Sequence, residues 1–375
     1  MIFKQEYHGL KYLEDLKNLY DGKKILIVTG KKSFEISGAK EVCDRVLAAQ
    51  DTRFFSDFAV NPKISDAMTG AIFAREENIE VILAIGGGSV MDMAKLIKAF
   101  YNAEDNEQDL VVGKRKVADP NIPIIAIPTT AGSGSEATHF AVVYIGSDKY
   151  SLASEFLLPE AVILDGSLTL SGGQYLKTCN ALDAMAQAIE SFWAAGSTDQ
   201  SRKFALSALE LGWQVLPRYI SDNCSEQDAQ KMLEAANLAG QAINISKTTA
   251  AHAWSYAFTS YYNIPHGHAV WLTLPKIFAI HAAADDKAIT DQRGTTHLRD
   301  IMNILIDTLS LSKNTPFDEQ LCTFLNDINI EHQMAKLGLA DQNKRKNLSL
   351  EVNMERMGNN PVNLNRYISD IFDLQ

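Results

Sequence analysis

Hydrophobic and polar positions divide the chain into two textures. Up to about Asp165, short apolar runs alternate with amphipathic stretches. Lys24–Thr29 (KILIVT) is β-branched and precedes an amphipathic stretch from Phe34 to Ala48. Phe54–Val60 reads as a second strand, before a helix near Ser65–Glu77. Val81–Ile85 (VILAI) is a third apolar run, which ends at three glycines and opens into the helix pattern SVMDMAKLIKAF; Ile122–Ile127 is a fourth. Runs that are apolar at nearly every position belong to strands covered on both faces, and their alternation with helices predicts a parallel sheet.

Beyond Asp165 the strand signals fade. Helix-period segments take over at Tyr175–Trp193, Ser201–Tyr219, Glu226–Ala242, His252–Tyr261 and Met302–Leu311, with Ala284–Arg299 read as a surface loop. The expected architecture is an α/β domain over residues 1–166, with a parallel, Rossmann-like nucleotide-binding sheet, followed by an all-α helical bundle over residues 167–375. A length of 375 residues agrees with two cores rather than one.

Composition narrows the function classes. A formal charge of −11 argues against a nucleic-acid partner, which needs a basic surface. Cys43, Cys179, Cys224 and Cys322 lack CxxC spacing and read as reduced packing thiols. The first residues, MIFKQEYHGLKYLEDL, have no apolar signal core, and no apolar run approaches membrane-spanning length, so a cytoplasmic protein with no membrane partner is expected.

Candidate chemistry begins with two loops. Gly86, Gly87, Gly88 and Ser89 lie between a strand and a helix, where a close backbone and free N–H groups can hold an anion. The pattern is neither GxGxxG nor the Walker motif. Asp92 and Lys95 fall on the following helix, where a solvated pair is the ordinary expectation. A second loop, Pro128–Glu136 (PTTAGSGSE), also follows a strand. Two such loops at the carboxyl ends of parallel strands predict nucleotide binding.

A metal constellation is also conceivable. Asp183 and Gln187 are four apart in ALDAMAQAIESFW and so share a helix face, while His252 and His266 flank AWSYAFTSYYNIP. Two imidazoles and a carboxylate can hold a divalent transition metal with open positions. On spacing alone, a His beside aromatic residues is more often a hydrogen-bonded core residue than a ligand, and Asp183 reads equally as a surface or capping carboxylate.

Together these motifs resemble the iron-containing alcohol dehydrogenases nearly end to end. The resemblance is carried by Asn61-Pro62, GGGSVMDMAK (Gly86–Lys95), IPTTAGSGSEAT (Ile127–Thr138), LDAMAQAIE (Leu182–Glu190), IPHGHA (Ile264–Ala269) and Asn359-Asn360-Pro361. It implies a nucleotide-binding domain and a helical domain, in an architecture shared with dehydroquinate-synthase-like enzymes, with Fe(II), or Zn(II) on the same donors. By position it implies Gly86, Gly87, Gly88, Ser89, Asn61 and Asp92 as cofactor residues, with Thr129, Thr130 and Ser133 on the nicotinamide side. Asp183, His252 and His266 match metal ligands, and Lys149 matches a lysine near the reacting centre.

Three departures from the family pattern matter. Gln187 stands where a His ligand is usual; an amide oxygen is a weaker, harder donor. Tyr256 stands where many members carry a second His for proton relay, and a phenol with an unperturbed pKa near 10 is a poorer shuttle, leaving His268 or water as candidates. Gly30, followed by Lys31 and Lys32, replaces an acidic residue that would repel a 2′-phosphate, so NADPH is favoured over NADH.

The segments Asp183–Ala205 and Lys247–Tyr256 resemble the phosphonoacetaldehyde reductase subgroup, which forms 2-hydroxyethylphosphonate. A phosphonate dianion needs cationic and hydroxyl partners, for which Arg202, Lys247, Thr248 and Thr249 are candidates, helped by Ser197. The expected activity is reduction of a small aldehyde to its primary alcohol. The rivals are a dehydrogenase of uncharged short-chain alcohols, a dehydroquinate-synthase-like lyase and a metal-free nucleotide sensor. A homodimer is the default assembly.

Overall fold

The computed structural model describes residues 5–103, 106–146 and 148–374. Its main sheet has six parallel strands in the order β1-β8-β5-β4-β2-β3. They are β1 (Gln5–His8), β2 (Ile25–Thr29), β3 (Thr52–Phe55), β4 (Val81–Gly86), β5 (Ile124–Pro128) and β8 (Ala161–Leu164). A separate antiparallel hairpin joins β6 (Phe140–Ile145) to β7 (Asp148–Ala153).

Every residue of β2, β4, β5 and β8 is buried, which is why these strands lack a polar face. The hairpin strand β6 instead alternates in burial along most of its length. The second predicted strand is shifted: β3 covers Thr52–Phe55, and residues 56–60 lie outside any strand. The apolar Phe58 and Val60 extend the sequence pattern, but among the described residues no partner strand reaches them. Strands β1, β6, β7 and β8 had no separate sequence reading, because their runs are short or set among polar residues.

Topology fixes where a ligand can enter the sheet. The chain leaves β2 for β3 at the edge, then returns to lay β4 on the other side of β2. Strand order therefore reverses between β2 and β4, and a crevice opens at their carboxyl ends. Register pairs Thr29 with Ile85 and Gly86 with Pro128, so the loops after β2, β4 and β5 leave the sheet side by side.

The chain forms two compact units, one of residues 1–173 with 223–240 and one of residues 174–222 with 241–375. A single boundary near residue 166 does not describe this division. The excursion has a physical cause in the first unit. Gly134, at φ +59°, lies so close to Gly240 that a Cβ would sit 2.5 Å from its Cα. Asn237 donates to the buried Glu136 at 3.2 Å, and Gln230 accepts from the Gly166 N–H at 2.7 Å. In the second unit, helices Gln174–Trp193 and Asp199–Tyr219 pack together; the stretch read as a loop to Arg299 ends earlier, where helix Gly294–Thr308 begins. Among the described residues no helix is long and apolar enough to cross a membrane.

The solvated pair expected at Asp92 and Lys95 is corrected by burial. Lys95 is fully buried on helix Gly88–Phe100. Its Nζ donates to Ser135 O (2.5 Å), Ser135 Oγ (3.1 Å), Thr138 Oγ1 (3.0 Å) and Phe140 O (2.9 Å). Ser135 Oγ in turn donates to Asp92 Oδ1 at 2.8 Å. Burial pushes the Lys95 ammonium down to about 8, against the pull of Asp92 and Glu136. Burial likewise raises both carboxylates, which Lys95 partly offsets. Lys95 thus ties the loop after β5 to the helix that opens from the glycine loop.

Replacing Lys95 by Met leaves two carbonyls and two acids without their cation, so the unfolding free energy should fall by about 3–5 kcal/mol. Urea titration measures this. A loss within about 0.5 kcal/mol, as at an ordinary surface site, would show that these contacts do not hold the loop.

Candidate functional site

Helix Gln174–Trp193 carries Asp183, Gln187 and Glu190, spaced i, i+4 and i+7, so all three project from one buried face. Helix Ala250–Tyr262 supplies His252 from its first turn. Asn263 closes that helix in the left-handed conformation (φ 54°), Pro265 caps the next, and His266 begins helix His266–Trp271. This short helix lies directly on the first. A Cβ at Gly267 would fall 1.9 Å from Cys179 O and 2.8 Å from Asp183 N, and Trp271 Nε1 donates to Leu182 O at 2.8 Å. Only a glycine lets His266 come down beside Asp183.

Donor atoms of Asp183, His252 and His266 all lie within 4.8 Å of one another. Asp183 Oδ1 is 3.3 Å from His252 Nε2 and 4.0 Å from His266 Nε2, and the two rings are 5.3 Å apart at 73°. One carboxylate facing two imidazole nitrogens is a donor set that fits a divalent transition ion. Gln187 is buried and donates to Asp183, so its amide adjoins the trio. Burial pushes the Asp183 carboxyl up, but His266, His252 and Gln187 outweigh it and hold it below its ordinary value. Burial likewise works against a charged His252, yet Glu190 and Asp183 raise it to about 9.

Glu190 is the residue the sequence reading passed over. It is fully buried, and its Oε1 accepts from Thr249 Oγ1 (2.6 Å), Thr249 N (3.2 Å), Ala251 N (3.0 Å) and His252 N (3.4 Å). Its Oε2 bonds His252 Nδ1. The available signal was its i+7 spacing from Asp183 within LDAMAQAIE.

The relay candidates sit differently. Tyr256 stacks on His266, with ring centres 6.0 Å apart and planes at 22°. His268 is outside the trio: Nε2 meets Glu331 O at 2.6 Å and Nδ1 meets the Tyr175 hydroxyl at 2.8 Å. A carbonyl only accepts, so Nε2 carries the proton and Nδ1 accepts from Tyr175. Burial lowers the His268 pKa, in keeping with a neutral ring.

The expected anion-binding residues fall into two groups. Arg202 Nη1 donates to Ser197 Oγ at 3.1 Å while Nη2 pairs with Asp199. Arg293, absent from the sequence reading, also donates to Ser197 Oγ at 3.0 Å and is held by Asp291. Lys247 pairs with Glu355, and buried Thr248 accepts from Arg356 Nη1 at 2.8 Å. Thr249, expected among the substrate contacts, is instead fully buried and donates to Glu190. Asn359 joins the two groups by bonding Gly196 N, Ser246 O and Thr248 O at 2.8–3.0 Å.

In the first unit the two glycine loops meet: Gly87 packs on Thr130 and Gly88 on Ser133, while Thr129 is buried. Gly87 caps helix Gly88–Phe100 without a side-chain acceptor, as an anion-binding helix start requires. Asn61, at φ 67°, approaches Ser89 Oγ through its N–H at 3.4 Å. Gly30 lies near Val90, Lys31 pairs with the exposed Asp57 at 2.7 Å, and Lys32 is exposed. Lys149 is on the hairpin strand β7, where its charge reaches Asp92.

Two family models match the chain: Iron-containing alcohol dehydrogenase over residues 4–166, and the C-terminal domain of the Fe-containing alcohol dehydrogenase family over residues 178–373. Phosphonoacetaldehyde reductase of Streptomyces viridochromogenes is 33% identical over 235 residues, a match spanning 60% of this chain and only 59% of that protein. The NAD-dependent methanol dehydrogenase of Bacillus methanolicus is 29% identical over 70% of this chain and 69% of its own. The crystal structure of sulfoacetaldehyde reductase from Bifidobacterium kashiwanohense, solved with NAD+, superposes with a TM-score of 0.84 at 26% identity, covering 100% of this chain and 96% of that one.

Gly267→Ala tests the close approach that sets His266 beside Asp183. The added methyl should cost about 1–3 kcal/mol through overpacking and shrink the rise in melting temperature that excess Zn(II) gives the parent chain. A variant with parental stability and a parental metal-induced shift would contradict this packing role.

Proposed function

The chain belongs to the iron-containing alcohol dehydrogenase family, and we propose that it reduces phosphonoacetaldehyde to 2-hydroxyethylphosphonate with a nicotinamide dinucleotide and one divalent metal ion. The observation that carries the reading is the convergence of Asp183, His252 and His266 on one another within 4.8 Å. When bound, the ion supplies Lewis-acid polarisation of the carbonyl and the reduced dinucleotide supplies the hydride.

The chain's own residues supply the rest. Asp183, His252 and His266 hold the ion, with the Gln187 amide oxygen as a fourth, weaker donor. The N-terminus of helix Gly88–Phe100 and the loop Thr129–Ser133 hold the dinucleotide. Lys31 and Lys32 favour a 2′-phosphate, although Asp57 answers part of the Lys31 charge. Tyr256 orients a water that protonates the product alkoxide, a role supported by its stacking on His266. Lys149 serves near the cofactor, a role supported by the reach of its charge to Asp92.

The substrate reading is supported by the guanidinium groups gathered around Asn359. Arg202 and Arg293 meet at Ser197, and Arg356 meets Thr248, on loops that Asn359 binds together. Guanidinium is well matched to a tetrahedral oxyanion. A sulfonate aldehyde is the second reading, favoured by the fold match to a sulfoacetaldehyde reductase.

A panel of phosphonoacetaldehyde, sulfoacetaldehyde and propanal, assayed with NADPH and with NADH in the presence of Fe(II) or Zn(II), tests the proposal. Phosphonoacetaldehyde should give the highest kcat/KM. Arg202→Ala and Arg356→Ala should each raise its KM by about 10- to 100-fold, the loss of one charged hydrogen bond, and leave KM for propanal nearly unchanged. Equal effects on charged and uncharged aldehydes would contradict the anion site. No turnover of any aldehyde would favour a nucleotide sensor or a lyase.

A further inference from the structure

We infer that Glu190 is a positioning residue for the metal centre, fixing which nitrogen His252 presents to the ion. This rests on the reading of Asp183, His252 and His266 as metal ligands. A fully buried carboxylate needs its oxygens satisfied, and Glu190 divides its two between two tasks. Oε1 gathers the N–H groups of Thr249, Ala251 and His252, which open helix Ala250–Tyr262 and have no partner one turn earlier. The N-cap residue Thr249 makes no side-chain cap of its own, so a carboxylate from another helix does the capping. Oε2 takes the Nδ1–H of the same His252.

The geometry leaves His252 one orientation. With Nδ1 bound to Glu190, Nε2 is the nitrogen turned to Asp183 Oδ1, 3.3 Å away. A carboxylate on the far nitrogen also makes the near one a stronger donor to a metal. The cap fixes the backbone of His252 and the same carboxyl group fixes its ring, so both are referenced to the helix that carries Asp183. Trp193 Nε1 donates to Thr249 Oγ1 at 2.9 Å, and Thr249 Oγ1 donates to Oε1 of Glu190 at 2.6 Å, on the capping side and apart from the Oε2 bond to His252.

The two roles are separable by substitution. Glu190→Gln keeps an acceptor for the helix N–H groups and removes the carboxylate from His252. Thr249→Val removes one hydroxyl from the cap and leaves the His252 contact intact. The full chain is stripped of metal and titrated with Co(II), recording the visible d–d bands and the affinity by competition with a chelator. Circular dichroism confirms that each variant is folded. Glu190→Gln should bind Co(II) about 10- to 100-fold more weakly, with altered d–d bands, while Thr249→Val should lose thermal stability and keep the parental affinity and spectrum.

Parental affinity and spectrum in Glu190→Gln would overturn the positioning role, and so would equal weakening in Thr249→Val, which would make the effect one of general stability. If Glu190→Gln does not fold, Glu190→Asp, which keeps the charge one methylene short, is read by the same criterion. His252→Ala separates the premise from the inference. A parent chain that takes up no Co(II), or binding that survives His252→Ala, overturns the metal reading itself. Binding abolished by His252→Ala and untouched by Glu190→Gln overturns only the role of Glu190.

Discussion

Two acids on one buried helix face, Asp183 and Glu190, set the terms for the second unit. Burying a carboxylate costs several kcal/mol unless charge and hydrogen bonds answer it. Here the answer comes from the start of helix Ala250–Tyr262 and from His266, which Gly267 lets approach within contact of the first helix. The packing that satisfies the acids is therefore the packing that gathers the donor atoms of Asp183, His252 and His266. Stability and the arrangement of the donor atoms draw on the same contacts.

The first unit solves a similar problem with the opposite charge. Lys95 is a buried cation held by carbonyl and hydroxyl oxygens and flanked by Asp92 and Glu136. It joins the helix that opens from one glycine loop to the segment that follows the other. Anion binding at a helix N-terminus depends on free N–H groups in fixed positions, and a buried ammonium with several hydrogen bonds resists the drift that bare glycines would permit.

Much of this was legible in the sequence, for definite reasons. Strands buried on both faces leave continuous apolar runs, so β2, β4 and β5 could be read, as could the long helices with their 3.6-residue period. Asp183 and Gln187 sit at helical spacing, and the spaced motifs placed both histidines. The rest depended on contacts distant in sequence. Glu190 and Thr249 are 59 residues apart, Lys95 and Ser135 are 40 apart, and no local pattern says that a charged residue will be buried and satisfied. The return of residues 223–240 to the first unit was hidden for the same reason: Gly240 looks like any helical glycine until it meets Gly134. Thr249 read as a substrate contact for the same want of a visible partner.

The proposed metal centre is built from Asp183, His252 and His266. It is tested most directly by crystallising the chain with Zn(II) and collecting anomalous diffraction on either side of the zinc absorption edge. One anomalous peak is expected about 2.0–2.2 Å from a carboxylate oxygen of Asp183 and from Nε2 of both histidines, with Glu190 still bonded to Nδ1 of His252. A chain without such a peak, or with zinc bound elsewhere and this trio closed on itself, would contradict it.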